Sequence, residues 1–398
     1  MSIKDVLCYK DHSVTAGSTI LEGFTSQYTS TAVQRALDQD AIIIGRTNCD
    51  EFAMGSTNEH SAYGATLNAT DASHVPGGSS GGAAVSVQAN TCLVALGSDT
   101  GGSVRQPAAY CGVVGFKPTY GRISRYGLIA YGSSFDQVGI IARDVNDITK
   151  VLSVIGGKDK MDATSSERVK TEVSTPTSST TKKIAYIEQV MNHPGLKPEI
   201  KKATEEKIAE LRSQGYKVEP VSFDLIDYLV PAYYVLTTAE ASSNLSRYDG
   251  IRYGHRTKDV TDIESLYVNS RSEGFGIEVK RRIMMGTFVL SVGYFDAYFT
   301  KAQKVRQMIS TKINAILEDY DCIIMPTTTS VAPKIGDATK DPVEMYLSDV
   351  FTVMANLCGL PAISIPTAIE GTPLSGGIQL MGASYDEANL LKLASTIS

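Results

Sequence analysis

The chain has 398 residues, 42% of them hydrophobic and 20% charged, enough for a large buried core in one big α/β domain or two smaller ones. Its formal net charge of −6 argues against a basic nucleic-acid binder, so any RNA phosphates would be met by another chain. No apolar run reaches membrane-spanning length, and the opening Met1-Ser2-Ile3-Lys4-Asp5 is neither a signal nor a transit peptide, which makes the expected location cytoplasmic.

Alternating helical and apolar-strand patterns argue an α/β fold. Ser30 or Thr31 is placed to cap a helix through Ala32, Val33 and Leu37, and the run Ala41-Ile42-Ile43-Ile44-Gly45 reads as a buried strand. Residues 81–89 read as a helix despite their glycines. Residues 92–97 read as the next buried strand, feeding a loop over 98–103. Residues 157–183 break this rhythm: 174–181 is polar and of low complexity, a solvated surface loop or linker. A βαβ pattern follows over 184–223. A strand spans 184–187, and a helix opens at Pro198 with Ile200, Ala203, Ile208 and Leu211 on one face. That helix ends at Gly215, and 216–223 is a second strand. Val305, Met308, Ile309, Ile313, Ile316 and Leu317 mark another amphipathic helix, which leads into a strand over 322–325 that stops at Pro326. There is no internal repeat. The simplest architecture is a single domain over 1–398, one large mixed β-sheet covered by helices on both faces, with 184–223 as a lobe within it.

The six cysteines, at 8, 49, 92, 111, 322 and 358, form no C-x-x-C and stand at no metal-ligand spacing with the five histidines. They read as apolar fillers in a reducing compartment, and no metal site is expected. Two glycine-serine clusters carry the chemical signal: Pro76-Gly77-Gly78-Ser79-Ser80-Gly81-Gly82 and Gly97-Ser98-Asp99-Thr100-Gly101-Gly102-Ser103-Val104-Arg105. Such glycines permit positive φ and free backbone amides to face an anion. Both clusters could be structural turns. A phosphate cradle fits poorly, since neither matches G-x-x-x-x-G-K-[ST] or G-x-G-x-x-G and Lys117 runs into Pro118. A serine nucleophile with an oxyanion hole is the third reading, and it needs a base. His60 and His74 are the nearest imidazoles in sequence but fall in no recognisable triad order. Lys4 could serve if burial keeps it neutral.

The two clusters, with 24 residues from Ser79 to Ser103, resemble the amidase-signature family. The resemblance implies a Ser–cis-Ser–Lys triad: Ser103 as nucleophile, Ser79 as the bridging serine on a cis peptide bond, and Lys4, in a Lys-Asp turn, as base. It also implies an oxyanion hole made by the amides of Thr100, Gly101, Gly102 and Ser103. Residues 48–55, 105–112, 117–122, 240–254 and 272–276 are similar to the A-subunit branch of the tRNA-dependent amidotransferases, so the likeness covers nearly all of the chain outside 157–183.

Free glutamine carries an α-carboxylate and an α-ammonium, so a selective pocket needs a cation and an anion, because a buried unpaired charge is costly. The resemblance places those roles on Arg282 and Asp349, with Tyr233 lining the same pocket. It implies a glutamine amidohydrolase whose ammonia converts Glu-tRNA(Gln), and possibly Asp-tRNA(Asn), to the amidated form in a heterotrimer with B and C subunits. Mischarged tRNA, ATP and Mg²⁺ would belong to the B subunit, leaving no cofactor in this chain. Members of the family carry a helical segment and part of a buried strand before the lysine; with Lys4 fourth in the chain, an N-terminally truncated form is expected. Two other readings stand beside this one: a non-catalytic fragment able only to bind partner subunits, and a stand-alone amidase acting on another small amide.

Overall fold

The computed structural model describes residues 1–166, 168, 182–337 and 342–397. Among them, ten strands form one sheet: β1 (Ser2–Lys4), β2 (Gly45–Thr47), β3 (Val94–Asp99), β4 (Val114–Lys117), β5 (Gln137–Ala142), β6 (Lys183–Ile187), β7 (Lys217–Val221), β8 (Cys322–Pro326), β9 (Ala362–Ala368) and β10 (Ser375–Gly382). Their spatial order is β2-β1-β3-β5-β4-β9-β10-β8-β6-β7. Pairing is parallel at both ends, where β1 joins β2 and β3 and where β6 joins β7 and β8. It is antiparallel through the middle, from β3 to β8. The expected single mixed sheet is present.

Side chains alternate across the sheet with the period of two that a strand imposes. In β8, Cys322 and Ile324 join one apolar cluster while Ile323 and Met325 join the other. The helices Thr31–Leu37, Val145–Ile155 and Glu387–Ile397 cover the first face. Leu229–Leu245, Lys301–Asp319 and Val353–Cys358 cover the second. The helices Gly81–Gln88 and Arg105–Tyr110 sit on a smaller cluster with Ala95 and Ile141. The βαβ unit forms as expected. Pro198 opens the helix Pro198–Ser213, Gly215 follows it at φ 91°, and β6 and β7 lie side by side in parallel.

Two expectations change. The run 41–45 is not a buried strand: Ile42 and Ile44 are 77% and 54% exposed, and only Gly45–Thr47 pairs. β2 is the edge of the sheet, so this run meets the core on one side only, through Ala41 and Ile43. Ser30 stands at the start of its helix, but its side chain makes no capping bond. The polar stretch 157–183 is anchored over its first part. Asp159 accepts from Thr31 Oγ1 at 2.5 Å and Ser124 Oγ at 2.6 Å, and Asp162 accepts from the Arg125 amide at 2.8 Å. Carboxylates that find hydroxyls and amides nearby are held even where the composition is polar. The low-complexity run 174–181 lies outside the described residues.

Candidate active site

β1 is three residues long, yet it is flanked by β2 and β3. Ile3 joins the main core, so the alternation sends Ser2 and Lys4 to the opposite face. There Ser2 Oγ meets Ser86 Oγ of the helix Gly81–Gln88 at 2.8 Å. Lys4 is fully buried, and its Nζ donates to Ser79 Oγ at 2.6 Å and to Ser98 Oγ at 2.9 Å. Burial pulls the Lys4 pKa down to about 8, against the opposing pull of Cys49, Asp50, Asp99 and Asp136. A fraction of neutral amine is therefore present at neutral pH, as a general base requires.

Ser79 is wholly buried and follows a cis peptide bond from Gly78. Its loop is held from two sides. The Asp50 amide donates to the Ser79 carbonyl at 3.3 Å, and the Gly78 amide donates to Gln106 Oε1 at 2.9 Å. Asp50 in turn accepts from the amides of Asn58 at 2.9 Å and His60 at 3.1 Å. The second loop is tied to the first by the Ser80 amide, which donates to the Ser103 carbonyl at 3.1 Å. Ser103 is half-buried, which leaves it the member of the group open to solvent.

Asp99 organises the second loop. It accepts from the amides of Gly102 at 2.9 Å and Val104 at 3.3 Å. Of the amides expected in an oxyanion hole, that of Gly102 is engaged by Asp99 in this structure. Gly102 supplies a turn at φ 129° that a side chain would strain. The amides of Thr100, Gly101 and Ser103 have no hydrogen-bond partner among the described residues. The Thr100 side chain donates to Asp136 Oδ1 at 2.7 Å.

Tyr233, Arg282 and Asp349 come from three separate segments and meet beside this loop. The Tyr233 hydroxyl packs so closely on Gly101 that a Cβ there would overlap it. The Arg282 guanidinium is 2% exposed and donates through Nε to Glu278 Oε1 and through Nη1 to the Tyr131 hydroxyl, each at 2.8 Å. The rings of Tyr131, Tyr234 and Tyr346 lie 5.2–5.6 Å from it. Asp349 accepts from Ser56 Oγ at 3.0 Å and from the Tyr234 hydroxyl at 2.8 Å. Burial raises its pKa to about 6, although those hydrogen bonds and Arg282 pull the other way. Just beyond it in the same segment, Thr352 Oγ1 donates to the Gly101 carbonyl at 2.6 Å, which joins that segment to the loop carrying Ser103.

The model of the family described as Amidase matches residues 1–391. The chain belongs to the amidase family. It is 51% identical over 400 residues to the glutamyl-tRNA(Gln) amidotransferase A subunit from Chlorobium phaeobacteroides strain BS1, covering 100% of this chain and 84% of that one. It is also 51% identical to the protein of the same name from Fusobacterium nucleatum, covering 100% and 81%. The crystal structure of the glutamyl-tRNA(Gln) amidotransferase A subunit from Thermotoga maritima superposes with a TM-score of 0.84 at 43% identity, over 99% of this chain and 81% of that one.

Several residues of this amidase site escaped the sequence reading. Ser98, the second partner of Lys4, and Asp99 and Arg105, which brace the loop, stood inside the second glycine-serine cluster without a role. Tyr131, Asp136, Ser56, Tyr234 and Glu278 lie in no glycine-serine motif, and only their contacts identify them. Of the two nearest histidines, His74 pairs with Asp71 at 3.0 Å, and the His60 amide donates to Asp50 at 3.1 Å. All six cysteines are free. Among the described residues no cluster of His, Cys, Asp and Glu is arranged to hold a metal ion, and no helix of the amidase is long and apolar enough to cross a membrane.

Proposed function

We propose that this chain is the glutamine-hydrolysing subunit of a tRNA-dependent amidotransferase, working through an acyl-enzyme on Ser103. Ser103 Oγ attacks the side-chain amide carbon of glutamine, its proton passes to Ser79, and the Ser79 proton passes to neutral Lys4. The amides of Thr100, Gly101 and Ser103 take the charge that develops on the amide oxygen. Lys4 returns a proton through Ser79 to the leaving nitrogen, ammonia departs, and water releases glutamate from the Ser103 ester. Arg282 faces the α-carboxylate, Asp349 the α-ammonium, and Tyr233 closes the wall between them and Gly101. The observation that carries the reading is Lys4 Nζ, fully buried and 2.6 Å from Ser79 Oγ.

The ammonia serves a partner subunit that activates the glutamate of mischarged tRNA with ATP and Mg²⁺, and a third, smaller subunit completes the heterotrimer in the cytoplasm. What supports this is the name shared by the relatives at 51% identity, together with the net charge of −6, which leaves tRNA phosphates to another chain. Glutamine hydrolysis by this chain with its partner subunits, beside Ser103→Ala, tests the proposal. Glutamate release that disappears in the variant supports it, and a Ser103→Ala chain that still releases glutamate refutes the acyl-enzyme.

A further inference from the structure

The cation of the pocket does not stand alone. Glu278 is buried, and its Oε1 accepts both from Arg282 Nε and from the Tyr346 hydroxyl, each at 2.8 Å, while Oε2 accepts from Arg281. Burial pushes the Glu278 carboxyl upward, but Arg282, Tyr346 and Arg281 outweigh it and hold the group below its usual value. Glu278 is therefore an anion at neutral pH.

The other end of Tyr346 reaches the opposite charge. Its ring stacks on Tyr234 with centroids 4.2 Å apart, and the Tyr234 hydroxyl donates to Asp349. A continuous path thus runs Arg282–Glu278–Tyr346–Tyr234–Asp349. A guanidinium is a rigid planar fork. With Nε held by Glu278 and Nη1 by Tyr131, the direction of Nη2 is set, and Nη2 has no hydrogen-bond partner among the described residues. The Tyr346 hydroxyl bonds the same Oε1 that holds Arg282 Nε, so without it less keeps that oxygen aimed at Arg282, while Oε2 stays with Arg281, whose side chain is 39% exposed.

We infer that Tyr346 and Glu278 are positioning residues that fix the direction of Arg282 and its spacing from Asp349, and so select an amide bearing both an α-carboxylate and an α-ammonium. The inference rests on the glutamine reading above. Neither residue touches the reacting amide.

The test uses the assembled heteromeric complex with Tyr346→Phe, which keeps the ring stack, and Glu278→Gln, which keeps the size. Hydrolysis is measured on glutamine and on 4-aminobutyramide, which lacks the α-carboxylate. Loss of one hydrogen bond to a charged group corresponds to about tenfold or more in binding. The KM for glutamine should rise by about tenfold in Tyr346→Phe and further in Glu278→Gln, with kcat within about twofold, while 4-aminobutyramide turnover stays unchanged. Equal slowing of both amides, or a fall in kcat at constant KM, overturns the positioning role. A wild-type complex that does not prefer glutamine overturns the glutamine reading itself, whereas a wild-type preference that survives both substitutions overturns only the present inference.

Discussion

Arg105 grips Asp99 through two parallel hydrogen bonds, Nε to Oδ2 at 3.0 Å and Nη2 to Oδ1 at 2.9 Å, with both side chains wholly withdrawn from water. The guanidinium also donates to the Thr352 carbonyl at 3.0 Å, to Asn356 Oδ1 at 2.7 Å and to Gln379. One ion pair therefore ties the loop that carries Ser103 to the segment that carries Asp349. Removing one partner of a buried pair leaves the other charge uncompensated, at about 3–5 kcal/mol. Arg105→Ala should lose that much stability in a denaturant titration at neutral pH. Arg105→Lys, which keeps the charge but not the fork, should recover only part of it.

The same pair gives a pH dependence with a definite sign. Burial acts to raise the Asp99 pKa, but Arg105 more than offsets it and holds the carboxyl at about 2, against roughly 3.9 in an unfolded chain. A depressed carboxylate stabilises the fold above its unfolded value, and that contribution is lost as pH falls through the folded one. Wild-type stability should therefore drop between about pH 4 and pH 2, and Asp99→Asn should lack that part of the drop when unfolding is followed across the same range.

As the proposed base, Lys4 should set the acid limb of the rate. Its pKa of about 8 means the basic form grows up to that pH, so kcat/KM for glutamine should rise about tenfold per pH unit below it and level above it. Lys4→Met keeps the apolar stem and removes the amine. Turnover should fall by about 10³-fold or more while the melting temperature holds, because the amine is a group that burial disfavours. A rate profile with no limb near pH 8 would count against Lys4 as the base.

Asp349 shows the opposite sign to Asp99. Its folded pKa of about 6 lies above the ordinary carboxylate value, so the folded state holds a proton that the unfolded state has lost, and stability declines as pH rises from about 4 to 6. Asp349→Asn should therefore raise stability at pH 7 by about 1–3 kcal/mol while weakening glutamine binding, a trade expected where a charge is kept for a ligand. In the wild type, KM for glutamine should climb below about pH 6 as the carboxylate is neutralised.

The local chemistry was legible in the sequence. The two glycine-serine clusters left turns and a serine nucleophile both open, and their resemblance to the amidase signature assigned Ser79 and Ser103. Helical patterns alternating with apolar strand runs, and the helix opened at Pro198, marked one mixed sheet with helices on its faces. These features depend on neighbouring residues, on backbone freedom at glycines and proline, and on which side of a strand each residue takes. Tertiary structure decided the rest. Lys4 read by itself is a lysine near a chain start. The resemblance named it as base, and the burial that role needs arises because β1 lies between β2 and β3 and the fold places its amine against Ser79 and Ser98. The edge position of β2 turned Ile42 and Ile44 outward, although their composition reads as core. Glu278, Tyr346 and Tyr234 acquire a shared task only where the helices Leu229–Leu245, Ile277–Val289 and Pro342–Leu347 converge. Desolvation and charge pairing act through space: Lys4 meets Ser79 and Ser98, and Asp349 meets Ser56 and Tyr234, only where the fold brings distant segments together.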